Sequence, residues 1–166
     1  LPPPYSTRLA RPDDAEAIRR IYNREVAEST ATLDLVPRSA DEQARWMQDH
    51  SGAYAAVVAL GGDGEVAGFA SLSPYRSRPG YSTTVEDSVY VDAADRGAGV
   101  GRLLLGEVVQ LAQASGFHTV IARITAVQEP SLALHRRCGF ELIGIEREVG
   151  RKFGRWLDVA LMQRLL

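Results

Sequence analysis

Val89-Tyr90-Val91-Asp92-Ala93-Ala94-Asp95-Arg96-Gly97-Ala98-Gly99-Val100-Gly101-Arg102-Leu103-Leu104 reads as a strand that enters a glycine-rich turn and leaves it as a helix. Thr83 to Val91 is rich in β-formers, and Gly99 to Ala114 is predicted as a helix with its C-terminal stop at Gly116. At this junction Gly97, Ala98, Gly99, Val100 and Gly101 let backbone N–H groups converge with little side-chain obstruction. The helix start adds partial positive charge, and Arg96 and Arg102 can add charge-assisted contacts. The turn is therefore a candidate pyrophosphate cradle, although glycines at a strand–helix junction also serve packing alone. A Walker loop needs Gly-Lys-Ser/Thr, whereas Gly101 is followed by Arg102-Leu103. A dinucleotide fold wants a different glycine spacing and an acid roughly 20 residues downstream. No Asp or Glu lies between Glu107 and Glu129, so nicotinamide binding is disfavoured.

Upstream of the turn, Thr7 to Ala10 reads as a short first strand after an extended arm over residues 1–6, which includes Pro2, Pro3 and Pro4. Asp13, with Glu16 reaching back, reads as the cap of a helix whose apolar face is Ile18, Ile21, Tyr22 and Val26. Ser39 and Glu42 repeat the capping pattern and open a second helix to about Gln48. Ala53 to Leu60 and Glu65 to Ser73 flank Gly61-Gly62-Asp63-Gly64 as a hairpin. Pro74 to Tyr81 is a polar excursion. Downstream come a strand over Thr119 to Thr125, a short helix over Pro130 to Cys138, and strands over Phe140 to Arg147 and Trp156 to Leu165. The strand–helix–strand unit from 83 to 125 argues for one parallel step with a right-handed crossover. The fold class is therefore α/β (α+β), a mixed and mostly antiparallel sheet flanked by helices, in one domain over residues 7–166.

Bulk properties narrow the function. The 166 residues suit one domain with an ordinary core, at 45% hydrophobic and 24% charged. A net charge of −2 with no basic stripe disfavours nucleic-acid binding. One cysteine, Cys138, and three scattered histidines give little support for a disulfide or a metal site. No run is long and apolar enough for a membrane span, and the opening residues carry neither a charged n-region nor an apolar h-region. The expectation is a cytoplasmic protein without metal, membrane or nucleic-acid partner.

The Arg-x-x-Gly-x-Gly turn between strand and helix resembles the acyl-CoA loop of the GNAT acetyltransferase superfamily. Thr84-Val85-Glu86-Asp87-Ser88-Val89-Tyr90-Val91, Leu134-His135-Arg136-Arg137-Cys138-Gly139-Phe140 and Lys152-Phe153-Gly154-Arg155-Trp156-Leu157-Asp158 resemble its phosphinothricin and methionine sulfoximine acetyltransferase family. So does the opening from Arg8 through Ile21-Tyr22-Asn23. The motifs span nearly the whole chain in the same order. The resemblance implies a sheet splayed between its fourth and fifth strands, acetyl-CoA as cosubstrate, a small amine acceptor, and a homodimer with the substrate pocket near its interface. It also implies backbone contacts to pantetheine from Val89, Tyr90 and Val91, a pyrophosphate held by Gly97 to Arg102, and a further cofactor contact from Ser131. Gln128 stands where the family often has Asn.

Glu86 matches the family's general base, a role that suits a carboxylate because the acceptor arrives as an ammonium. An ordinary solvent-facing glutamate is the bland alternative. Strand alternation puts Glu86, Ser88 and Tyr90 on one face, with Val85, Asp87, Val89 and Val91 opposite. Asp87 stands where many relatives have His. His135 matches the position of a thiolate proton donor, with lining of the CoA channel or capping of backbone as alternatives. Cys138 reads as an inert buried thiol. Arg76 matches a residue that grips the acceptor's carboxylate, with Tyr81 a weaker candidate and a solvated loop arginine the alternative. Leu33 would make an aliphatic pocket wall where relatives often carry an aromatic. Lys152 would reach the substrate across the dimer interface, or else belong to a solvated basic turn. Direct acetyl transfer to an α-amino group is the expected reaction. Transfer to another amine or a protein N-terminus, and a non-catalytic acyl-CoA sensor, are the alternatives.

Overall fold

The computed structural model describes residues 4–166, so residues 1–3 of the expected arm lie outside the described residues. Strand β1 (Ser6–Leu9) begins one residue earlier than predicted. It is followed by α1 (Ala15–Glu28), α2 (Ala40–Asp49), the β2 (Ala56–Leu60) and β3 (Val66–Pro74) hairpin, and β4 (Thr84–Val91). Helix α3 (Val100–Ala114), β5 (Thr119–Thr125), α4 (Glu129–Arg137), β6 (Glu141–Lys152) and β7 (Arg155–Leu165) complete the chain. The sheet has seven strands in the order β1-β2-β3-β4-β5-β7-β6. Only β4 and β5 pair in parallel, as the strand–helix–strand reading requires. The last strand in sequence lies between β5 and β6, so β6 becomes an edge.

Alternation along the strands sorts apolar side chains into two cores. Val57 and Ala59 of β2, with Ala70 and Leu72 of β3, face Leu104, Leu105, Val108 and Ala112 of α3. Val58 and Phe69, one residue out of step, face Ile18, Ile21, Tyr22 and Val26 of α1. Each fully buried aliphatic side chain contributes about 1.5–3 kcal/mol. The cap of α2 is as predicted, since Glu42 N–H donates to Ser39 Oγ at 3.1 Å and Ser39 N–H to Glu42 Oε2 at 2.8 Å. The start of α1 is not. A 3-10 turn over Pro12–Asp14 precedes it, and Asp14 rather than Asp13 accepts the Arg11 N–H at 2.7 Å. Asp14 also holds the Arg8 guanidinium, while Glu16 pairs with Arg19 instead of reaching back. A proline at the head of the turn sets this register.

The β4–β5 pairing stops at Glu86–Ile121, although both strands continue to Val91 and Thr125. From Asp87 onward the strands part, and that split is the feature that positions the site.

Candidate active site

The split opens a narrow cleft of about 90 Å³. Asp87, Ser88, Val89 and Tyr90 form one wall, and Ala122, Arg123 and Ile124 the other. Gln128 and Ser131 come from the start of α4, His135 from its last turn, and Ala31 from the loop after α1. Five of these residues, Ala31, Val89, Tyr90, Gln128 and Ser131, also line a groove of about 490 Å³ that leads to Arg96, Gly97, Gly99, Val100 and Gly101. Cleft and groove are thus one passage from the sheet interior to the head of α3.

The backbone decides what each wall offers. Asp92 N–H donates to Ala67 O at 2.8 Å. Antiparallel bonding alternates, so the Tyr90–Phe69 pair is hydrogen-bonded to β3, while Val89 and Val91 turn their N–H and C=O towards the cleft. Of the three residues expected to reach pantetheine through their backbones, Tyr90 directs its N–H and C=O to β3 instead. Its ring packs on Phe69 and Tyr22, each with ring centroids 5.3 Å away. At the far end, Gly97 and Gly99 sit at φ 78° and 84°, where a side chain would be strained. Gly99 caps α3 with no side-chain bond, so the first-turn N–H groups lack an internal acceptor. Ala98 and Arg102 are exposed and lie outside the groove lining. Arg96, on the groove wall, pairs with the buried Glu25 carboxylate, and its Nε donates to Val91 O at 3.4 Å. Gln128 donates to Thr30 Oγ1 at 2.8 Å and ties α4 to the loop after α1.

Glu86 and Asp87 face opposite sides of β4. Glu86 is partly open, at 28% side-chain exposure, and its carboxylate lies 3.7 Å from Arg123 Nε. Burial pushes its pKa up, Arg123 pulls it down, Asp87 raises it and Arg76 lowers it, for a net rise. Asp87 is sealed at 1% side-chain exposure. Its Oδ2 lies 2.8 Å from His135 Nε2, and its Oδ1 has no partner. His135 Nδ1 lies 2.8 Å from Ser131 O, a carbonyl, so it carries a proton there. Burial alone would lower the His135 pKa, but the Asp87 charge and hydrogen bond, with the Ser131 bond, raise it. Burial likewise pushes the Cys138 thiol up, which makes it a poor nucleophile.

On the Glu86 side, the Arg76 guanidinium lies over the rings of Tyr75 and Tyr81, at 5.0 and 5.9 Å from their centroids. Arg76 and Tyr81 share a shallow surface pocket with Ser77 and Arg78. Leu33 lies against Gly150 of β6, where an added Cβ would come 2.8 Å from Leu33 Cδ1. Lys152 does not lie on a solvated basic turn. It is buried in its own chain, with its ammonium donating to Thr32 O at 2.8 Å and near Glu25 O at 3.4 Å. The carbonyls at the end of α1 draw the cation inward, and burial lowers its pKa. It thereby fastens the loop that carries Leu33.

Sequence reasoning passed over Arg123 and Glu146, which meet at 2.5 Å beside Glu86. The signal was the register of β5, in which Ile121 pairs with Glu86 and places Arg123 on the same face two residues on. A larger apolar hollow of about 600 Å³ near α2 and β2 is remote from this chemistry. Its one titratable group, His50, is engaged by Trp46 O and Ser73 Oγ. Among the described residues no cluster of metal-ligating side chains occurs, and no helix is long and apolar enough to cross a membrane.

A sheet split beside a carboxylate, leading to an uncapped helix head, is the architecture of an acyltransferase that draws on a phosphorylated thioester. The sequence pattern of the acetyltransferase (GNAT) domain matches residues 7–161. Phosphinothricin N-acetyltransferase of Streptomyces coelicolor is 39% identical over 157 residues, covering 93% of this chain and 92% of that protein. The L-methionine sulfoximine/L-methionine sulfone acetyltransferase of Pseudomonas aeruginosa is 40% identical over 159 residues, covering 95% and 92%. The crystal structure of a GNAT superfamily phosphinothricin acetyltransferase from Sinorhizobium meliloti, in complex with AcCoA, superposes with a TM-score of 0.95 at 41% identity, covering 98% of this chain and 89% of that one. The chain belongs to the GNAT acetyltransferases and, within them, to the phosphinothricin and methionine sulfoximine acetyltransferase family.

Proposed function

We propose that the protein transfers acetyl from acetyl-CoA to the α-amino group of a small amino-acid-like acceptor of the phosphinothricin, methionine sulfoximine or methionine sulfone type. The observation that carries this reading is the parting of β4 and β5 immediately after Glu86, which sets a partly desolvated carboxylate beside a passage ending on free helix N–H groups. The residues fit the cosubstrate. Val89 and Val91 offer strand-like bonds to pantetheine amides, Ser131 and Gln128 flank it, and Gly97 to Gly101 take the pyrophosphate. Arg96 joins them by leaving Glu25.

Glu86 takes a proton from the acceptor's ammonium, directly or through water, and the amine then attacks the thioester carbon. The Val91 N–H, turned into the cleft, supports the oxyanion. As the carbon–sulfur bond breaks, the departing thiolate takes a proton from His135, which the Asp87 carboxylate favours in its charged form. Arg76 binds the acceptor's carboxylate with Tyr81 beside it, and Leu33 forms an aliphatic wall.

Edge strand β6 exposes Leu142, Ile143, Ile145 and Val149, with Phe153 and Trp156 beyond, which suits burial against a second copy. Light scattering on the purified protein tests this homodimer. CoA release, followed with a thiol reagent over the three acceptors, free amino acids and peptides, tests the reaction. Turnover that Glu86→Gln abolishes supports the reading; turnover of peptides alone overturns the acceptor class.

A further inference from the structure

Glu86 sits where two opposing forces act on it. Burial withdraws water and favours the neutral acid, yet a base must be ionised when the ammonium arrives. Four charged groups bear on it. Asp87 lies behind it on the other face of β4, Arg76 approaches from the β3–β4 excursion, Arg123 stands on β5, and Glu146 on β6 reaches Arg123 across β7. Of the two guanidiniums, Arg76 is stacked on Tyr75 and Tyr81, whereas Arg123 is in ion-pair range of Glu86. Arg123 is not free to wander, because its Nη2 donates to Glu146 Oε1 at 2.5 Å. The three side chains, each about one-third exposed, form a chain of alternating charge across the open face of the sheet.

We infer that Arg123 is a positioning residue for Glu86: itself on the cleft wall and tethered by Glu146, its guanidinium keeps that carboxylate charged and held at the edge of the cleft. Glu146 acts as the restraint. It fixes where Arg123 stands and also draws off part of its positive field, so Arg123 and Glu146 act on Glu86 with opposite sign. The arrangement rests on Glu86 as the base, but its electrostatics can be measured without any turnover.

Carboxyl NMR of protein labelled with [δ-¹³C]glutamate, with Glu86→Gln assigning the resonance, reads the Glu86 titration directly. Removing the cation in Arg123→Ala should raise the Glu86 pKa by about one unit, the low end for an opposite charge at this range because the pair is partly solvated. Arg123→Lys should restore part of the shift. Glu146→Gln keeps an amide oxygen to accept from Arg123 and removes only the negative charge, so it should move the titration in the other direction. In kcat/KM profiles the acid limb should follow, so that Arg123→Ala loses about tenfold at acid pH and recovers as pH rises. A purely structural role would lower activity at every pH and would not give shifts of opposite sign. Unmoved titrations, or shifts of the same sign in Arg123→Ala and Glu146→Gln, overturn the inference. Full turnover by Glu86→Gln would instead overturn the base, whatever the titrations show.

Discussion

Glu86 and Asp87 are adjacent in the chain, and the two faces of β4 treat them as different chemistries. Glu86 looks onto an open face with guanidiniums near it and water within reach. Asp87 looks onto a closed face, bonded to one buried histidine and with an oxygen left over. Strand alternation separates the two carboxylates by the sheet itself, so neither shares the other's proton. The open face is within reach of solvent, and the closed face keeps the Asp87–His135 hydrogen bond away from it. The comparison teaches that the exposure and partners of a carboxylate are set here by which way its side chain leaves one strand, not by residue type.

Glu86→Gln breaks the open face most directly. It removes the proposed general base, and kcat/KM should fall by about 10²–10⁴-fold with folding unchanged; steady-state rates and a thermal melt check this. Asp87→Asn attacks the closed face. It leaves His135 buried without its counter-charge, and stability should drop by about 3 kcal/mol. The sign with pH follows from the raised His135 pKa. The pair's contribution is whole below the unfolded histidine value of about 6.5 and fades as pH rises through the folded one. Denaturant midpoints of wild type and Asp87→Asn should therefore converge as pH rises above about 6.5; a gap that widens would contradict the pairing.

Arg76→Ala sharpens the contrast on the substrate side. The acceptor KM should rise about tenfold, near 1.4 kcal/mol, while the acetyl-CoA KM stays put. Equal rises in both would remove Arg76 from the acceptor site. Ser39→Ala, at the α2 cap far from both faces, should lower stability by about 1 kcal/mol and leave every pH profile unmoved. A shifted profile there would show that the faces are not electrically separate from the rest of the fold.

Much of this could be read from the chain. The alternation of Thr84 to Val91 assigns Glu86 and Asp87 to opposite faces, and the positive-φ demand of a strand–helix turn explains Gly97 and Gly99. The Ser39–Glu42 cap is a four-residue event and was legible as such. Local chemistry of this kind depends on neighbours a few residues apart, which a sequence displays.

The partnerships were not legible, because they join distant segments. Asp87 and His135 are 48 residues apart. Lys152 reads as part of a basic turn, and only the tertiary fold turns it onto carbonyls at the end of α1. Arg123 and Glu146 meet because β7 passes between β5 and β6, an insertion that periodicity cannot announce. By itself the sequence determined the strand faces, the phosphate-ready turn and the identity of the charged groups. Tertiary structure alone decided which charges stand together and which are kept from water, because Coulomb interaction and desolvation depend on distance and burial in space, not on separation along the chain.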